Sequence, residues 1–154
     1  MGASVIATSS SDEKLEKVRA LGADHVVNYR QHAEWSAQVL DITDGRCVDH
    51  VVEVGGPGTL TQSIRAARVG GHIALIGVLT GAAVPVPTAE MMGRQQRLQG
   101  LVVGSRKHQQ DLVRALDGLP LRPVIDRSYA LDQIGEAFAL QQSGGHLGKV
   151  ALEF

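Results

Sequence analysis

The hydroxyl residues Thr8-Ser9-Ser10 end the first apolar stretch of the chain, and Lys14 follows about one helical turn later. Hydroxyl and ammonium groups suit the binding of a phosphate, whereas a carboxylate at the same place would repel it. The first carboxylate, that of Asp12, comes only in the turn that follows. The pattern therefore suits a phosphate such as the 2′-phosphate of a nucleotide. A structural interpretation stays open beside it, in which Ser11 caps a helix and Lys14 is solvated.

A glycine-rich turn, Gly55-Gly56-Pro57-Gly58, follows a predicted strand and opens a predicted helix, as a dinucleotide-binding fingerprint does. The third glycine of that fingerprint is missing, since Thr61 stands in its place. No Asp or Glu lies between Glu53 and Glu90, so the acidic residue that binds a ribose about 20 residues further on is missing too. We therefore expect no independent phosphate cradle at this turn.

Neither a metal centre nor a hydrolytic triad is predicted. None of the six histidines has the HExxH spacing or a cysteine or carboxylate at ligand spacing, and Cys47 is the only cysteine. The nucleophile elbow Gly-x-Ser-x-Gly is also missing. We assign the histidines structural or surface roles, and we find no positioned general acid or base, so no catalytic residue is predicted.

Short apolar runs alternate with segments of helical period, which predicts an α/β fold with a mostly parallel sheet and helices on both faces. Gly71–Gly77 is almost continuously apolar, as expected of a central parallel strand. The predicted strands are Ser4–Thr8, His25–Tyr29, Val48–Val54, Gly71–Gly77, Leu98–Gly104, Val124–Tyr129 and Lys149–Phe154. The predicted helices are Ser11–Leu21, Glu34–Thr43, Thr59–Ala67, Gln109–Leu116 and Leu131–Gln142.

The composition restricts the kinds of partner that the protein can have. The chain has 154 residues, of which 44% are hydrophobic, and a formal net charge of −1. This near-neutral balance, without a run of Lys or Arg, argues against a nucleic-acid partner. No apolar stretch approaches a membrane span and no secretory leader is recognisable, so we expect no membrane partner and a cytoplasmic location.

Segments spread over the whole chain carry a resemblance to a known family. In their order and spacing they resemble the nucleotide-binding half of medium-chain dehydrogenases/reductases, in particular the zinc-independent quinone oxidoreductase-like branch. They are Gly2-Ala3-Ser4-Val5-Ile6-Ala7-Thr8, Lys14-Leu15-Glu16, Leu21-Gly22-Ala23-Asp24, Asn28-Tyr29-Arg30, Val48-Asp49-His50-Val51-Val52-Glu53, Gly70-Gly71-His72-Ile73-Ala74-Leu75-Ile76-Gly77, Pro123-Val124-Ile125-Asp126 and Ser143-Gly144-Gly145-His146-Leu147-Gly148-Lys149-Val150.

This resemblance implies a Rossmann-like fold, NADP as the cofactor, no zinc, and hydride transfer by the cofactor itself. It also implies that residues 1–154 are one truncated nucleotide-binding domain. Four parts of the family pattern are expected to be absent: the GroES-like catalytic domain, the first Rossmann strand, the glycine-rich turn that follows it, and the helix after that turn.

The resemblance assigns residues to three parts of a cofactor site. It places Ser10, Lys14 and Tyr29 around the 2′-phosphate, which favours NADP over NAD, and it places Val54 and Gly55 along the cofactor cleft. The remaining residues lie at the ends of predicted strands: Gly77, Val78 and Ser105 at carboxyl ends, and Lys149 at the start of the last strand. The resemblance places Gly77 and Val78 near the nicotinamide, Ser105 near the substrate or cofactor, and Lys149 either near the cofactor or exposed.

The sheet that the resemblance implies has the strand order 3-2-1-4-5-6, in which the absent first strand is central. The strands up to Tyr29 and those from Val48 onward would form two groups, and we expect these to pair directly or to pair with another chain. Leu98–Gly104 would lie at an edge. The corresponding edge commonly pairs with itself in this family, so a homodimer is expected.

Three functions follow from these residues. The first is the nucleotide-binding portion of an NADP-dependent oxidoreductase of alcohol dehydrogenase or quinone oxidoreductase type, weakly active or inactive alone. The second is a non-catalytic α/β module for dimerisation or partner docking. The third is a nucleotide-binding regulator that keeps adenosine affinity through Ser10, Lys14 and Tyr29. Whether the chain is an enzyme is left open by its sequence.

Overall fold

The computed structural model describes residues 2–119 and 121–154. They divide into two compact units, Met1–Val103 and Gly104–Phe154. The first unit contains β1 (Ile6–Ser9), α1 (Asp12–Ala20), β2 (His25–Asn28), α2 (Trp35–Ile42), β3 (Val48–Glu53), α3 (Pro57–Ala66), β4 (Ala67–Leu75), α4 (Thr88–Gly93) and β5 (Arg97–Gly100). The second contains α5 (Arg106–Asp117), β6 (Ile125–Ala130), a 3-10 turn (Leu131–Gln133), α6 (Ile134–Ser143) and β7 (Lys149–Glu153).

All strand pairs of the described residues are parallel, which confirms the predicted α/β class. In the first unit, β1 pairs with β2, and β4 lies between β3 and β5. In the second unit, β6 pairs with β7, and α6 contacts both strands. Each crossover between neighbouring strands contains a helix, as a parallel ladder requires.

Direct pairing of the two strand groups does not occur among residues 2–119 and 121–154, because β1 pairs with β2 alone and β3 with β4 alone. Side chains join the groups instead. Ile6 of β1 and Val48 of β3 both pack against a core cluster that includes Trp35 and Val39 of α2. The groups are therefore held together by apolar burial, which needs no backbone ladder between β1 and β3.

A second core cluster joins β4 to α3. Ile73 of β4 and Ile64 of α3 are fully buried, and Leu60 and Ala67 complete the cluster. Leu60 and Ile64 are one helical turn apart and so lie on the same face of α3. This cluster holds α3 against β4, and the turn after β3 leads directly into that helix.

Ser11 is the N-cap of α1, as the sequence predicts, since its hydroxyl accepts a hydrogen bond from the backbone N–H of Lys14 at 3.3 Å. The edge strand β5 differs from its prediction. It ends at Gly100, four residues before the predicted end at Gly104. The reason is its partner: β4 ends at Leu75, whose carbonyl accepts the N–H of Leu101 in the last bond of the ladder.

No helix among the described residues is long and apolar enough to cross a membrane.

Candidate functional site

The carboxyl ends of β1 and β2 bring three predicted site residues to one end of the first unit. Ser9 is paired with Asn28, and the N–H of Tyr29 donates to the carbonyl of Ser9 at 3.1 Å. Ser10 therefore leaves β1 beside the point at which Tyr29 leaves β2. Lys14 lies in the first turn of α1, held there by the Ser11 cap. The predicted group of Ser10, Lys14 and Tyr29 is thus assembled around the start of one helix.

The hydroxyls of this segment have different tasks. The Ser11 hydroxyl caps α1, and the Ser9 hydroxyl accepts from the N–H of Ser11 at 3.3 Å. Both are used by the backbone, which makes Ser10 the candidate hydroxyl for a ligand. Ser10 is half-buried, and Tyr29 is 39% exposed, so a ligand could reach both side chains.

Both carboxylates at the start of α1 are held by partners of their own. Asp12 accepts from the amide groups of Asn28 at 2.6 Å and Gln31 at 2.9 Å. Glu13 pairs with Lys17 at 2.7 Å, and this hydrogen bond and charge lower the pKa of the Glu13 carboxyl. With both carboxylates held by these partners, Ser10 and Lys14 remain the candidate ligand-binding residues at the end of β1.

A second group of predicted residues meets where the turn after β3 contacts the end of β4. The carbonyl of Glu53 accepts hydrogen bonds from the N–H groups of Ile76 at 2.8 Å and Gly77 at 3.2 Å. A Cβ placed on Gly77 would overlap the Val54 carbonyl and lie 2.8 Å from the Val54 Cα. Residues 54–56 and 77–78, which we call the glycine crossing, thus approach each other with no room for a side chain at Gly77.

Glycine is needed at a second position of the crossing. Gly56 has φ +81°, and a Cβ there would lie 2.8 Å from the Gly77 carbonyl oxygen and 2.9 Å from the Val78 Cα. Val54 and Val78 are 51% and 65% exposed. The four predicted residues Val54, Gly55, Gly77 and Val78 are therefore brought together, and the apolar side chains of Val54 and Val78 are accessible.

Thr80 ties the loop after β4 to the glycine crossing, and the sequence gives no signal for it. Its hydroxyl donates to the Gly55 carbonyl at 2.8 Å and accepts from the Gly58 N–H at 2.7 Å. Its own N–H donates to the same Gly55 carbonyl at 3.0 Å. A threonine in a loop of Gly, Ala and Pro matches no motif, so only the fold reveals this contact.

The N–H groups of the glycine-rich turn are already used within the protein. Gly55 and Gly56 both donate to Oε1 of Glu53, each at 2.8 Å. A phosphate would have to displace this buried carboxylate to reach them. This arrangement agrees with the expectation that the turn is no independent phosphate cradle.

Ser105 and Lys149 belong to the second unit. The Ser105 hydroxyl accepts from the His108 N–H at 3.3 Å, and the Ser105 N–H donates to Nδ1 of His108, so the residue caps α5. Lys149 is the first residue of β7, is exposed, and donates its N–H to the Val124 carbonyl at 2.8 Å. Ser105 thus has a structural task that the sequence did not predict, and the Lys149 ammonium is accessible.

The histidines do not form a metal centre in the part of the chain that the structure describes, where no group of three or more His, Cys, Asp or Glu side chains converges. His50 and His72 are neighbours across β3 and β4, with ring centroids 5.7 Å apart and nearly perpendicular planes. This edge-to-face contact is a packing arrangement of two rings on one face of the sheet.

Comparison with known proteins finds a family match over most of the chain. The model of the zinc-binding dehydrogenase family matches residues 1–118. The zinc-type alcohol dehydrogenase-like protein C1773.06c of Schizosaccharomyces pombe is 39% identical over 156 residues, covering 99% of this chain and 45% of that protein. The chain thus spans less than half the length of this relative.

Two solved structures share the fold. A structure described as an NAD-dependent alcohol dehydrogenase has a TM-score of 0.87 and 32% identity, covering 99% of this chain and 44% of its own. The crotonyl-CoA carboxylase/reductase AntE in complex with NADP has a TM-score of 0.82 and 26% identity, covering 96% and 42%. The resemblance on which the site assignments rest is confirmed at the level of the family.

Proposed function

This chain belongs to the zinc-binding dehydrogenase family, and on that premise we propose that it is the nucleotide-binding portion of an NADP-dependent oxidoreductase. The observation that carries the proposal is the grouping of Ser10, Lys14 and Tyr29 where β1 and β2 end. The substrate class that fits the family resemblance is an alcohol, quinone or enone.

The preference for NADP over NAD rests on residues of this chain, since the two solved relatives are described with different cofactors. NAD-binding sites place a carboxylate at the end of this strand, where it accepts from the ribose hydroxyls. Here the carboxylate of Asp12 is held by Asn28 and Gln31, and hydroxyls stand at the strand end. The Lys14 ammonium would attract a 2′-phosphate that carries negative charge.

The described residues fit such a cofactor at its other end too. Val54 and Val78 offer exposed apolar surface for a flat ring, and the close approach of the two backbone segments that carry them requires glycine at position 77. The bound nicotinamide supplies the hydride chemistry, as cofactors of this class do. The task of this chain is then to bind and orient, with Lys14 and Ser10 at the adenosine end and the glycine crossing at the nicotinamide end.

Replacing Lys14 tests the adenosine end. We expect Lys14→Ala to weaken NADPH binding about tenfold, because one charge-assisted contact to the 2′-phosphate is lost. NADH binding should change by less than about twofold, since NADH lacks that phosphate. Calorimetric titration of both cofactors measures this difference.

Lys14→Arg is the matched control, because it keeps the positive charge and the helix propensity of the position. It should retain most of the affinity for NADPH. Equal weakening of NADPH and NADH binding by Lys14→Ala would contradict the assignment, since it would point to a general disturbance of α1.

The edge of β5 supports a second candidate function, that of a dimerisation module. β4 occupies one edge of β5, and no strand among the described residues pairs with the other. Val102 and Val103, which follow β5, are 90% and 92% exposed. An unpaired strand edge next to apolar side chains favours association with a second copy. We therefore expect a homodimer in analytical ultracentrifugation at micromolar concentration, and a monomer there would count against it.

A further inference from the structure

Glu53, the last residue of β3, is only 3% exposed, and its carboxylate accepts four hydrogen bonds. Oε1 accepts from the N–H groups of Gly55 and Gly56 at 2.8 Å each and from the Thr59 hydroxyl at 2.6 Å. Oε2 accepts from the Ser63 hydroxyl. All four donors are neutral groups of the turn or of α3. A carboxylate is costly to bury, and this set of donors is what offsets that cost.

The backbone carbonyl of Glu53 binds the second segment of the glycine crossing, the one that follows β4. The Glu53 carbonyl accepts from the N–H groups of Ile76 and Gly77, while its side chain holds Gly55 and Gly56. One residue therefore links the turn after β3, the start of α3 and the end of β4. A shift of its side chain would move the turn relative to Gly77.

We propose that Glu53 is a positioning residue for the nicotinamide half of the cofactor, an inference that rests on the proposed function. It lies beneath the turn and is too buried to contact the cofactor itself. It acts by fixing the backbone of Val54 and Gly55 against Gly77, which sets the spacing of the two apolar side chains in the crossing. No catalytic step is assigned to it.

The effect should be confined to one end of the cofactor. Ser10 follows β1, Lys14 lies on α1 and Tyr29 follows β2. The hydrogen bonds of Glu53 run instead to the turn, to α3 and to the end of β4. Loss of the Glu53 carboxylate would thus disturb the nicotinamide end and spare the adenosine end. A general loss of structure would affect both.

The test compares NADPH with adenosine 2′-phosphate, which carries only the adenosine end, as ligands of the full chain in calorimetric titration. Glu53→Ala should weaken NADPH binding about tenfold and change adenosine 2′-phosphate binding by less than about twofold. Glu53→Gln should bring NADPH affinity back to within about threefold of the original chain. The amide oxygen can still accept from Gly55 and Gly56, and the Ser63 hydroxyl can turn to accept from the amide N–H.

Two further variants separate positioning from stability. Ile64→Val loses buried methyl packing next to Ser63 and should lower stability while leaving the ratio of the two affinities unchanged. Thr59→Val removes one donor to Oε1 with little change of shape, and it should weaken NADPH binding about threefold where Thr59→Ser does not. If the Glu53→Ala variant fails to fold, the Thr59→Val variant serves as the test in its place.

The outcomes are distinguishable. If the unmodified chain binds neither ligand, the proposed function fails and this inference fails with it. A second outcome is that the chain binds both ligands while the variants Glu53→Ala and Thr59→Val, each made separately, leave NADPH binding unchanged or weaken the binding of both ligands equally. In that case only the role of Glu53 is overturned.

Discussion

Gly77→Ala should lower the free energy of unfolding by about 3 kcal/mol, at the upper end of what overpacking usually costs. A Cβ at this position would overlap the Val54 carbonyl, and backbone atoms have no rotamer by which to move away. Relief would require β4 to shift against the turn after β3. That shift would break the hydrogen bonds from Ile76 and Gly77 to the Glu53 carbonyl. Urea unfolding followed by the fluorescence of Trp35, the only tryptophan, measures the change.

Gly100→Ala is the matched control for this substitution. Gly100 also lies at the end of a strand, and a Cβ there would meet nothing within 4 Å. Its unfolding free energy should stay within about 0.5 kcal/mol of that of the original chain. Equal stability of the two variants would mean that the turn yields easily and that the glycine crossing is not a rigid contact.

Ile73→Ala should cost about 2–5 kcal/mol, the range found for aliphatic truncations in cores. Ile73 is fully buried in the central strand β4 and packs in one cluster with Leu60, Ile64 and Ala67. Truncation of the Ile73 side chain leaves a cavity between β4 and α3. The helix could fill this cavity only by shifting away from its other contacts with the sheet. The same urea experiment reports the loss.

The same truncation at Ile76, which is 51% exposed on the segment that follows β4, provides the comparison. Ile76→Ala removes the same atoms from a half-solvated site, so it should cost less than about 1.5 kcal/mol. An Ile73→Ala variant as stable as Ile76→Ala would contradict the assignment of Ile73 to the centre of the core.

Local patterns were enough to predict much of the fold. The Ser11 cap and the helix after it follow from residues that are neighbours in sequence. The strand predicted at Gly71–Gly77 is present as β4, but it begins at Ala67 and ends at Leu75, because its pairing with β3 and β5 sets its bounds. The end of β5 does not follow from neighbouring residues either, because it depends on where its partner strand stops. Val102 and Val103 suit a strand by propensity, but β4 ends at Leu75 and offers them no ladder.

The candidate site divides in the same way. Ser10, Lys14 and Tyr29 could be grouped before the fold was known because the resemblance to a known family assigns them to one phosphate. Thr80 and the Glu53 carboxylate could not, since their roles come from contacts made across the fold. A glutamate at the end of a predicted strand has no signature that separates a buried anchor from a solvated residue.

The measurement that tests the central claim most directly is the affinity of the unmodified chain for NADPH relative to NADH, determined by calorimetric titration under one set of conditions. The hydroxyls at the end of β1 and the Lys14 ammonium predict that NADPH binds at least about tenfold more tightly. Affinity for NADH equal to or above that for NADPH, or binding of neither cofactor, would contradict the account.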